Sequence, residues 1–414
     1  MSSQPRRLLG RQIVVQKYGG SSVADTEKLR HVARRVAATR ELGLDIVVVV
    51  SAMGKTTDEL LGLAHSLHRE PPRRELDVLV SSGERISMAL LSMAIEEQGW
   101  SAISLSGPQS GIRTDANHFG ARIQGVQPAR VLRELAGGRV VVVAGYQGES
   151  PDGEITTLGR GGSDTSAVAL AAVLGALRCE IYSDVPGVFT ADPRIVDQAA
   201  LLERVSYEEM IAFSNLGASV LDRRAVEHAA RHRVEIHARP TFGDGEGTVI
   251  APAGEEEGML PVIGVAGHRR LLRVRVDGDA PDDALASELQ DAVGVPSLPD
   301  SEAPSGSHRE LLFPTDEVAG ASAVTAKLRE EFGSRVAVDD QIGSVSVIGR
   351  GIGECAQRRR RARLATARHR IVVDAEHVID HAYTLLVERA SVLSAIRSIH
   401  GELIPAASPA PGSA

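Results

Sequence analysis

Short apolar runs alternate with longer amphipathic stretches from Ile13 to about residue 250. Runs of four to six residues rich in Val and Ile are typical of buried strands. Stretches with apolar residues three and four positions apart are typical of helices. This alternation indicates an α/β fold with a largely parallel sheet between helices. The predicted strands cover residues 13–16, 46–50, 139–144 and 180–183, and the predicted helices cover residues 26–42, 76–98 and 164–174.

The pattern changes after residue 251, where two glycines flank three glutamates in a polar hinge. Two shorter α+β units follow, and their similar layout predicts a tandem repeat. In the first, strands 271–276 and 310–313 accompany helices 282–292 and 320–331, with a Pro/Ser-rich loop at 296–308. In the second, strands 344–348, 371–373 and 384–387 accompany helices 354–368 and 390–400. The predicted domains are residues 12–251, 262–332 and 333–404, followed by a disordered tail at 405–414.

Composition narrows the class of protein. A chain of 414 residues with 43% hydrophobic and 24% charged residues should bury full cores in two to three domains. A net charge of −8 argues against general nucleic-acid binding. No apolar run is long enough for a membrane span, the N-terminus lacks the apolar block of a signal peptide, and two cysteines cannot build a disulfide framework. We therefore expect a soluble, cytoplasmic protein without nucleic-acid or membrane partners.

The strongest local signal is a glycine-rich segment, Thr157 to Ser166, that leads directly into an apolar helix. Ser163 or Asp164 can cap that helix, and the glycines let backbone N–H groups approach an anion at its positive end. The segment matches neither the P-loop nor the dinucleotide-binding pattern. A phosphate cradle and an ordinary glycine-rich turn both remain open.

A second signal lies at the end of the first strand, where Lys17 precedes Tyr18-Gly19-Gly20-Ser21-Ser22. The glycines allow close backbone approach, and a lysine supplies a point charge suited to phosphate. Only four lysines occur in the chain, which favours a function for this one over simple solvation. A third segment, Ser183 to Arg194, could wrap a nucleotide or form an ordinary Pro-Gly turn.

Together these segments resemble the aspartate kinases of the amino-acid kinase family. The resemblance runs from Val14 to about Ile250 through KYGGSS, SAMGKTTDEL, SSGERIS, TTLGRGGSD and YSDVPGVFTADPR, in family order. It implies the amino-acid kinase fold followed by two α+β modules similar in layout to ACT regulatory domains, with a homodimer formed through those modules. It also implies transfer of the ATP γ-phosphoryl group to the side-chain carboxylate of L-aspartate, with Mg²⁺.

The resemblance also assigns roles to residues. It makes Lys17 and Asp164 catalytic, and it places the amino acid on Thr57, Glu84, Arg160 and Ser163. The alternative for Glu84 is a solvated helix carboxylate. The nucleotide-binding residues implied are Lys17, Gly19, Gly20, Ser21, Gly161, Gly162, Ser183, Asp184, Phe189, Asp192 and Arg194.

Two departures from the family pattern have consequences. Ser219 stands where the family has a lysine that reaches the ATP phosphates, and a serine cannot replace that charge. If this segment is helical, Arg223 lies four residues on and could compensate. Both predicted effector turns, at 278–283 and 353–358, lack the glycine of the family motif, which predicts weak or absent feedback inhibition. A kinase for another acid and a nucleotide-binding subunit without activity are the alternative functions.

Overall fold

The computed structural model describes residues 11–218, 220–254, 262–277, 283–293, 295, 297–298, 308–316, 318, 321–379 and 381–404. The described chain forms two compact units. The first contains residues up to 188 together with 203–210 and 220–253, and the second contains 189–202, 211–218 and the chain from 254 onward. The predicted hinge at 255–258, most of the 296–308 loop, Ser219 and the 405–414 tail lie outside the described residues.

The first unit is built on twelve strands and eight helices among the described residues. The strands are β1 (Ile13–Tyr18), β2 (Asp45–Val50), β3 (Ala102–Leu105), β4 (Ile112–Thr114), β5 (Ile123–Val126), β6 (Val140–Ala144), β7 (Gln147–Glu149), β8 (Ile155–Thr157), β9 (Arg178–Ser183), β10 (Arg204–Ser206), β11 (Ile236–Pro240) and β12 (Thr248–Ala251). The helices are α1 (Thr26–Glu41), α2 (Thr56–Leu67), α3 (Arg73–Glu96), α4 (Gly107–Ser110), α5 (Ala129–Ala136), α6 (Gly162–Leu174), α7 (Tyr207–Asn215), which runs on into the second unit, and α8 (Arg223–His232).

Eight of these strands form one sheet in the order β10-β12-β11-β9-β1-β2-β6-β3. Neighbours are parallel from β11 to β3, whereas β12 runs antiparallel to β11 and carries β10 parallel to itself. The central strands β2 and β6 are buried along their whole length, which explains the unbroken apolar runs at 46–50 and 140–144. The predicted α/β class with a mostly parallel sheet is confirmed.

A second sheet of the first unit, in the order β5-β4-β7-β8, does not appear in the prediction. Its strands are only three or four residues long and contain Gly, Gln and Thr in place of an apolar run. Helix α2 is also absent from the prediction. Both omissions concern elements that bury little apolar surface, which is why hydrophobic periodicity does not mark them.

Helix α3 is the one helix among the described residues that is long and apolar enough to cross a membrane, judged by length and composition alone. Glu84 and Arg85 interrupt its apolar sequence, so it contains no unbroken apolar run of the length that a membrane span needs. The helix buries Leu76, Val80 and Leu91 in the core of the first unit. It is therefore a core helix in this fold.

The second unit is built on one six-stranded sheet and four helices among the described residues. The elements are β13 (Gly264–Ala266), β14 (Leu271–Asp277), α9 (Asp283–Val293), β15 (His308–Pro314), α10 (Ala321–Phe332), β16 (Val336–Ile348), α11 (Ala356–Arg368), β17 (Val373–Ile379), β18 (Ala382–Glu388) and α12 (Val392–Leu403). The strand order is β15-β14-β16-β18-β17, with β13 also paired to β16. Helices α9 and α10 cover an apolar core on β14 and β15, and α11 and α12 contribute to a separate core with β18.

Strand β16 differs most from its prediction, because it begins eight residues earlier than the predicted 344–348. Its first half pairs with β14 and its second half with β18. The added residues include Asp339, Asp340 and Gln341, which are not buried and so give no apolar signal. One strand thus serves both predicted modules of the second unit.

Candidate functional site

Two glycine turns of the first unit meet at the carboxyl ends of its parallel strands. The amide of Gly19, after β1, donates to the Tyr182 carbonyl of β9 at 3.3 Å. The amide of Gly54, after β2, donates to the Gly20 carbonyl at 3.0 Å. A Cβ atom on Gly20 would lie 2.8 Å from the Ala52 carbonyl oxygen, so the approach of these turns requires glycine. The carboxyl edge of an open α/β sheet is where ligands bind in such folds.

Lys17 and Asp164 form an ion pair at this edge. Nζ of Lys17 lies 2.6 Å from Oδ1 of Asp164, and the two side chains are 12% and 11% exposed. Lys17 projects from β1, and Asp164 lies in the first turn of α6. A Cβ atom on Gly19 would lie 3.5 Å from the same amine, so the charge reaches the diglycine turn. The ammonium group of Lys17 is therefore partly shielded from water and lies beside glycine backbone that no side chain covers.

The glycine-rich segment bends in left-handed conformations before α6 begins. Gly159 and Gly161 have φ angles of +74° and +70°. The prediction that Ser163 or Asp164 caps the helix is wrong, because α6 begins at Gly162 and Gly161 is the N-cap, with no side-chain cap. Both predicted caps therefore lie inside the first turn. A helix start without a side-chain cap leaves its amides available to an anion.

Glu84 is buried in α3 with one carboxylate oxygen in use. Oε1 accepts a hydrogen bond from the Ala52 amide at 3.1 Å, whereas Oε2 has no partner among the described residues. Burial raises the pKa of Glu84 to about 7, and the hydrogen bond from Ala52 only partly opposes this rise. The prediction left open a solvated helix carboxylate, but Glu84 is only 3% exposed. The unpartnered oxygen suits a cationic ligand group.

The structure also describes the other three predicted amino-acid contacts. Thr57 lies in the first turn of α2, directly after the Gly54 turn. Arg160 is exposed, and its carbonyl accepts a hydrogen bond from the Arg224 guanidinium. Ser163 is buried close to Gly145, where a Cβ atom would lie 2.9 Å from the serine hydroxyl. The structure therefore places all four predicted contacts in the first unit.

Asp77 and Asp222 support the glycine-rich segment and were not predicted. Buried Asp77 accepts hydrogen bonds from the Thr157 hydroxyl at 2.5 Å and from His118 Nδ1 at 2.6 Å. Asp222 caps α8 and lies so close to Gly161 that a Cβ atom there would be 2.2 Å from its carboxyl group. Burial, together with Asp164, raises the pKa of Asp222. Neither residue belongs to one of the motifs. The one sequence signal is that Asp222, a residue type that favours helix N-caps, stands directly before α8.

Tyr146 is a third residue that the sequence did not single out. Its φ angle of +70° is unusual for tyrosine, and its ring lies 2.9 Å from the position of a Cβ atom on Gly162. Its amide donates to the Ser166 hydroxyl at 3.1 Å. Burial raises the pKa of Tyr146, with Glu84 among the charges that add to the effect. Backbone strain at this point is typical of a functional site.

The predicted nucleotide residues divide between the units. Ser183 and Asp184 follow β9 in the first unit, and the Ser183 carbonyl accepts from the Thr241 amide at 2.8 Å. Phe189, Asp192 and Arg194 lie in the second unit. There Arg194 pairs with Asp192 at 2.7 Å and lowers the pKa of its carboxyl group.

Compensation by Arg223 is expected only if its segment is helical from position 219 onward, and the described part of that segment is not. Helix α8 begins at Arg223 itself, with Asp222 as its cap, so no helix face joins this arginine to position 219. Arg223 Nε instead donates to Glu227 at 2.6 Å. Ser219 lies outside the described residues.

No three side chains of the His, Cys, Asp or Glu types meet as a metal cage in the described part of the chain. Mg²⁺ is usually held by one or two carboxylates together with substrate phosphates, so it does not need such a cage. Asp164 lies beside the glycine turns, and its carboxylate oxygens are the kind of ligand that Mg²⁺ prefers. The residues present therefore fit this ion when it arrives with a nucleotide.

Comparison with known proteins agrees with this geometry. Residues 12–238 match the amino acid kinase family. The aspartokinase of Mycobacterium tuberculosis is 46% identical over 352 residues, which cover 82% of this chain and 84% of that one. Aspartokinase 2 of Bacillus subtilis is 41% identical over 347 residues, 82% of this chain and 85% of that one.

A solved structure shares the fold. The crystal structure of E. coli aspartokinase III in complex with aspartate and ADP superposes with a TM-score of 0.78 and 21% identity, over 95% of this chain and all of that one. Motifs, fold and relatives agree. The chain belongs to the amino acid kinase family and, within it, to the aspartokinases.

Proposed function

We propose that this chain transfers the γ-phosphoryl group of ATP to the side-chain carboxylate of L-aspartate. The observation that carries the proposal is the Lys17–Asp164 pair beside two glycine turns, in a unit that also buries the unpartnered oxygen of Glu84. The names of the relatives support it, as does the aspartate and ADP complex of the E. coli protein.

The reaction needs positioning and charge neutralisation more than it needs a base. A side-chain carboxylate with a pKa of ~3.9 is ionised at pH 7 and is itself the nucleophile. One of its oxygens forms a bond to the γ-phosphorus while the bond to the β–γ bridging oxygen breaks, and ADP leaves with that electron pair. Lys17 neutralises charge on the transferred group, and Asp164 orients the amine through its ion pair.

The amino acid is held by groups of opposite charge. Glu84 pairs with the α-ammonium through Oε2, and Arg160 grips the α-carboxylate. Thr57 and Ser163 supply hydroxyl donors. Because free Glu84 has a pKa of about 7, the arriving ammonium also favours its ionised form. The side-chain carboxylate is thereby left for the phosphoryl group.

The nucleotide phosphates are bound by Lys17 and by the backbone at Gly19, Gly20, Gly161 and Gly162. Asp164 would hold Mg²⁺, which would supply positive charge to the phosphates. We further propose that residues 12–251 act as the catalytic domain and that the modules at 262–332 and 333–404 pair two copies. Cys179 and Cys355 are not joined in a disulfide, which supports a reducing, cytoplasmic setting.

Trapping the acyl phosphate with hydroxylamine tests the proposal. Purified protein, Mg-ATP and a panel of amino acids should give hydroxamate with aspartate alone. Lys17→Met should reduce the rate at least a hundredfold. The matched control is Lys327→Met, since Lys327 lies exposed on α10 of the other unit, and its rate should match that of the unmodified protein. Hydroxamate with a different acid would change the assigned acceptor, and none with any acid would leave a nucleotide-binding subunit.

A further inference from the structure

The loop at residues 189–202 belongs to the second unit, although the chain on both sides of it belongs to the first. It carries Phe189, Asp192 and Arg194, which are three of the predicted nucleotide residues. An antiparallel bridge between Phe189 and Leu201 closes the base of the loop. The first unit therefore does not contain all of the residues that are expected to contact the nucleotide.

Apolar side chains of the 189–202 loop are buried in a core of the second unit. Ala191 and Val196 are 4% and 8% exposed, and they share one cluster with Val265 of β13 and with Ile396 and Ile399 of α12. Exposing such side chains to water is unfavourable, so the loop cannot leave this core without a loss of stability. The position of the loop is therefore set by the packing of the second unit.

Thr190 joins the base of the loop to β13 and α12. Its carbonyl accepts a hydrogen bond from the Val265 amide at 2.7 Å, and its hydroxyl lies 2.9 Å from Nε2 of His400. The same hydroxyl accepts from the Ala200 amide, on the returning side of the loop, at 3.0 Å. Thr190 and His400 are both buried, so a group that lost its partner here would not gain water in exchange. These bonds therefore hold the base of the loop against α12.

Arg397 of α12 holds the turn at the other end of the loop. Its Nε donates to the Ile195 carbonyl at 2.8 Å. The Ile195 amide in turn donates to the Asp192 carbonyl at 2.8 Å, so these residues form one turn. The same turn carries the ion pair between the side chains of Asp192 and Arg194. A charged side chain of α12 is therefore bonded to the turn that presents two of the predicted nucleotide contacts.

We propose that Arg397 and His400 of α12 are positioning residues for the nucleotide: they hold the 189–202 loop in place and do not touch the nucleotide themselves. This role rests on the proposed function, because it requires Asp192 and Arg194 to contact ATP. A loop that is ordered beforehand loses less conformational entropy when its ligand binds, so it binds that ligand more tightly. Variants that release the loop should therefore weaken the binding of nucleotide and leave the binding of aspartate unchanged.

Calorimetric titration of the full chain with Mg-ADP tests this role without phosphoryl transfer. Arg397→Met should weaken the binding of ADP about tenfold, because it removes a hydrogen bond from a charged group to the loop. The matched control is Arg368→Met, since Arg368 is also exposed and also contacts α12, but at Glu402. The control should bind ADP as tightly as the unmodified chain. Equal affinities of Arg397→Met and the control would overturn the proposal.

Substitutions of Thr190 separate positioning from a general loss of stability. Thr190→Val removes the hydroxyl that meets His400 and should also weaken ADP binding about tenfold, whereas Thr190→Ser keeps a hydroxyl and should restore most of the affinity. In the hydroxylamine assay, Arg397→Met and Thr190→Val should raise the KM for ATP about tenfold and leave kcat and the KM for aspartate unchanged. Equal rises of both KM values would contradict the positioning role. If Thr190→Val does not fold, Arg397→Met decides, because Arg397 is exposed.

The unmodified chain separates the two possible failures. If it binds no Mg-ADP, the nucleotide site of the proposed function is wrong, and the role of α12 falls with it. If it binds Mg-ADP, and Arg397→Met and Thr190→Val bind it equally tightly, only the role of α12 is overturned.

Discussion

Replacing Glu84 by glutamine should stabilise the protein at alkaline pH while it disables the amino-acid site. Glu84 is buried, and its Oε2 has no partner among the described residues. Glutamine has the same shape, can still accept from the Ala52 amide and carries no charge. The variant therefore removes the cost of burying a carboxylate without removing the hydrogen bond at 3.1 Å.

The magnitude follows from the raised pKa. The unfolded chain releases this proton near the ordinary value of 4.5, whereas the folded chain holds it up to about pH 7. Protons therefore favour the folded state, and stability falls as pH rises between these values and is constant above them. Because a tenfold change in proton affinity is worth about 1.4 kcal/mol, ionised Glu84 costs up to about 3 kcal/mol at pH 8. At pH 4 the cost disappears.

Urea unfolding followed by the fluorescence of Trp100 measures this difference. Trp100 is the only tryptophan of the chain and packs against the core of the first unit. The Glu84→Gln protein should match the unmodified protein near pH 4.5 and exceed it by about 2 to 3 kcal/mol at pH 8. Glu41→Gln, at the exposed end of α1, should show no such trend. A difference independent of pH, or a less stable Glu84→Gln protein at pH 8, would refute the reasoning.

Three further predictions concern other parts of the two units. Lys17→Met and Asp164→Asn should each lower the free energy of unfolding of the first unit by about 3 kcal/mol. In urea unfolding, the double variant should lose less stability than the sum of the two single losses. Additive losses would show that the two side chains are not coupled. Gly161→Ala should lower the free energy of unfolding by several kcal/mol, because its Cβ atom would overlap the carboxylate that caps α8. The control is Gly153→Ala, where φ is +80° and the space is open, and it should lose only about 1 kcal/mol. Equal losses would contradict this prediction. Burial lowers the pKa of His400 below its ordinary value of 6.5. The protection of the α12 amides from hydrogen exchange should therefore fall as the pH drops below 6.5 in the unmodified protein, but not in the His400→Gln variant. A parallel loss of protection in both proteins would contradict this prediction.

The central strands and the glycine turns were predictable because each has a local cause. Val47, Val48 and Val49 lie in a strand buried on both sides, and such a strand requires an unbroken apolar run. Gly20 marks a turn where another backbone approaches closely, and no larger residue fits there. Each of these constraints acts on neighbouring residues, so the sequence around those residues predicts the element.

Other features depend on contacts between distant parts of the chain. Asp222 meets Gly161 across about sixty residues, and Asp77 meets Thr157 across eighty. Whether the second carboxylate oxygen of Glu84 has a partner depends on the residues around it in space, so the sequence of α3 alone cannot predict it. The start of α6 at Gly162 was misplaced because the sequence favours Ser163 and Asp164 as caps, whereas the left-handed Gly161 begins the helix earlier.

The most direct test of the proposed reaction is to identify which oxygen of the amino acid receives the phosphoryl group. Aspartate labelled with ¹⁸O in its side-chain carboxylate is incubated with the protein and Mg-ATP, and the product is cleaved with hydroxylamine. We predict side-chain hydroxamate together with inorganic phosphate that carries one ¹⁸O atom, because the carboxylate oxygen forms the new bond to phosphorus. Hydroxamate at the α-carboxylate, or phosphate without the label, would contradict the account.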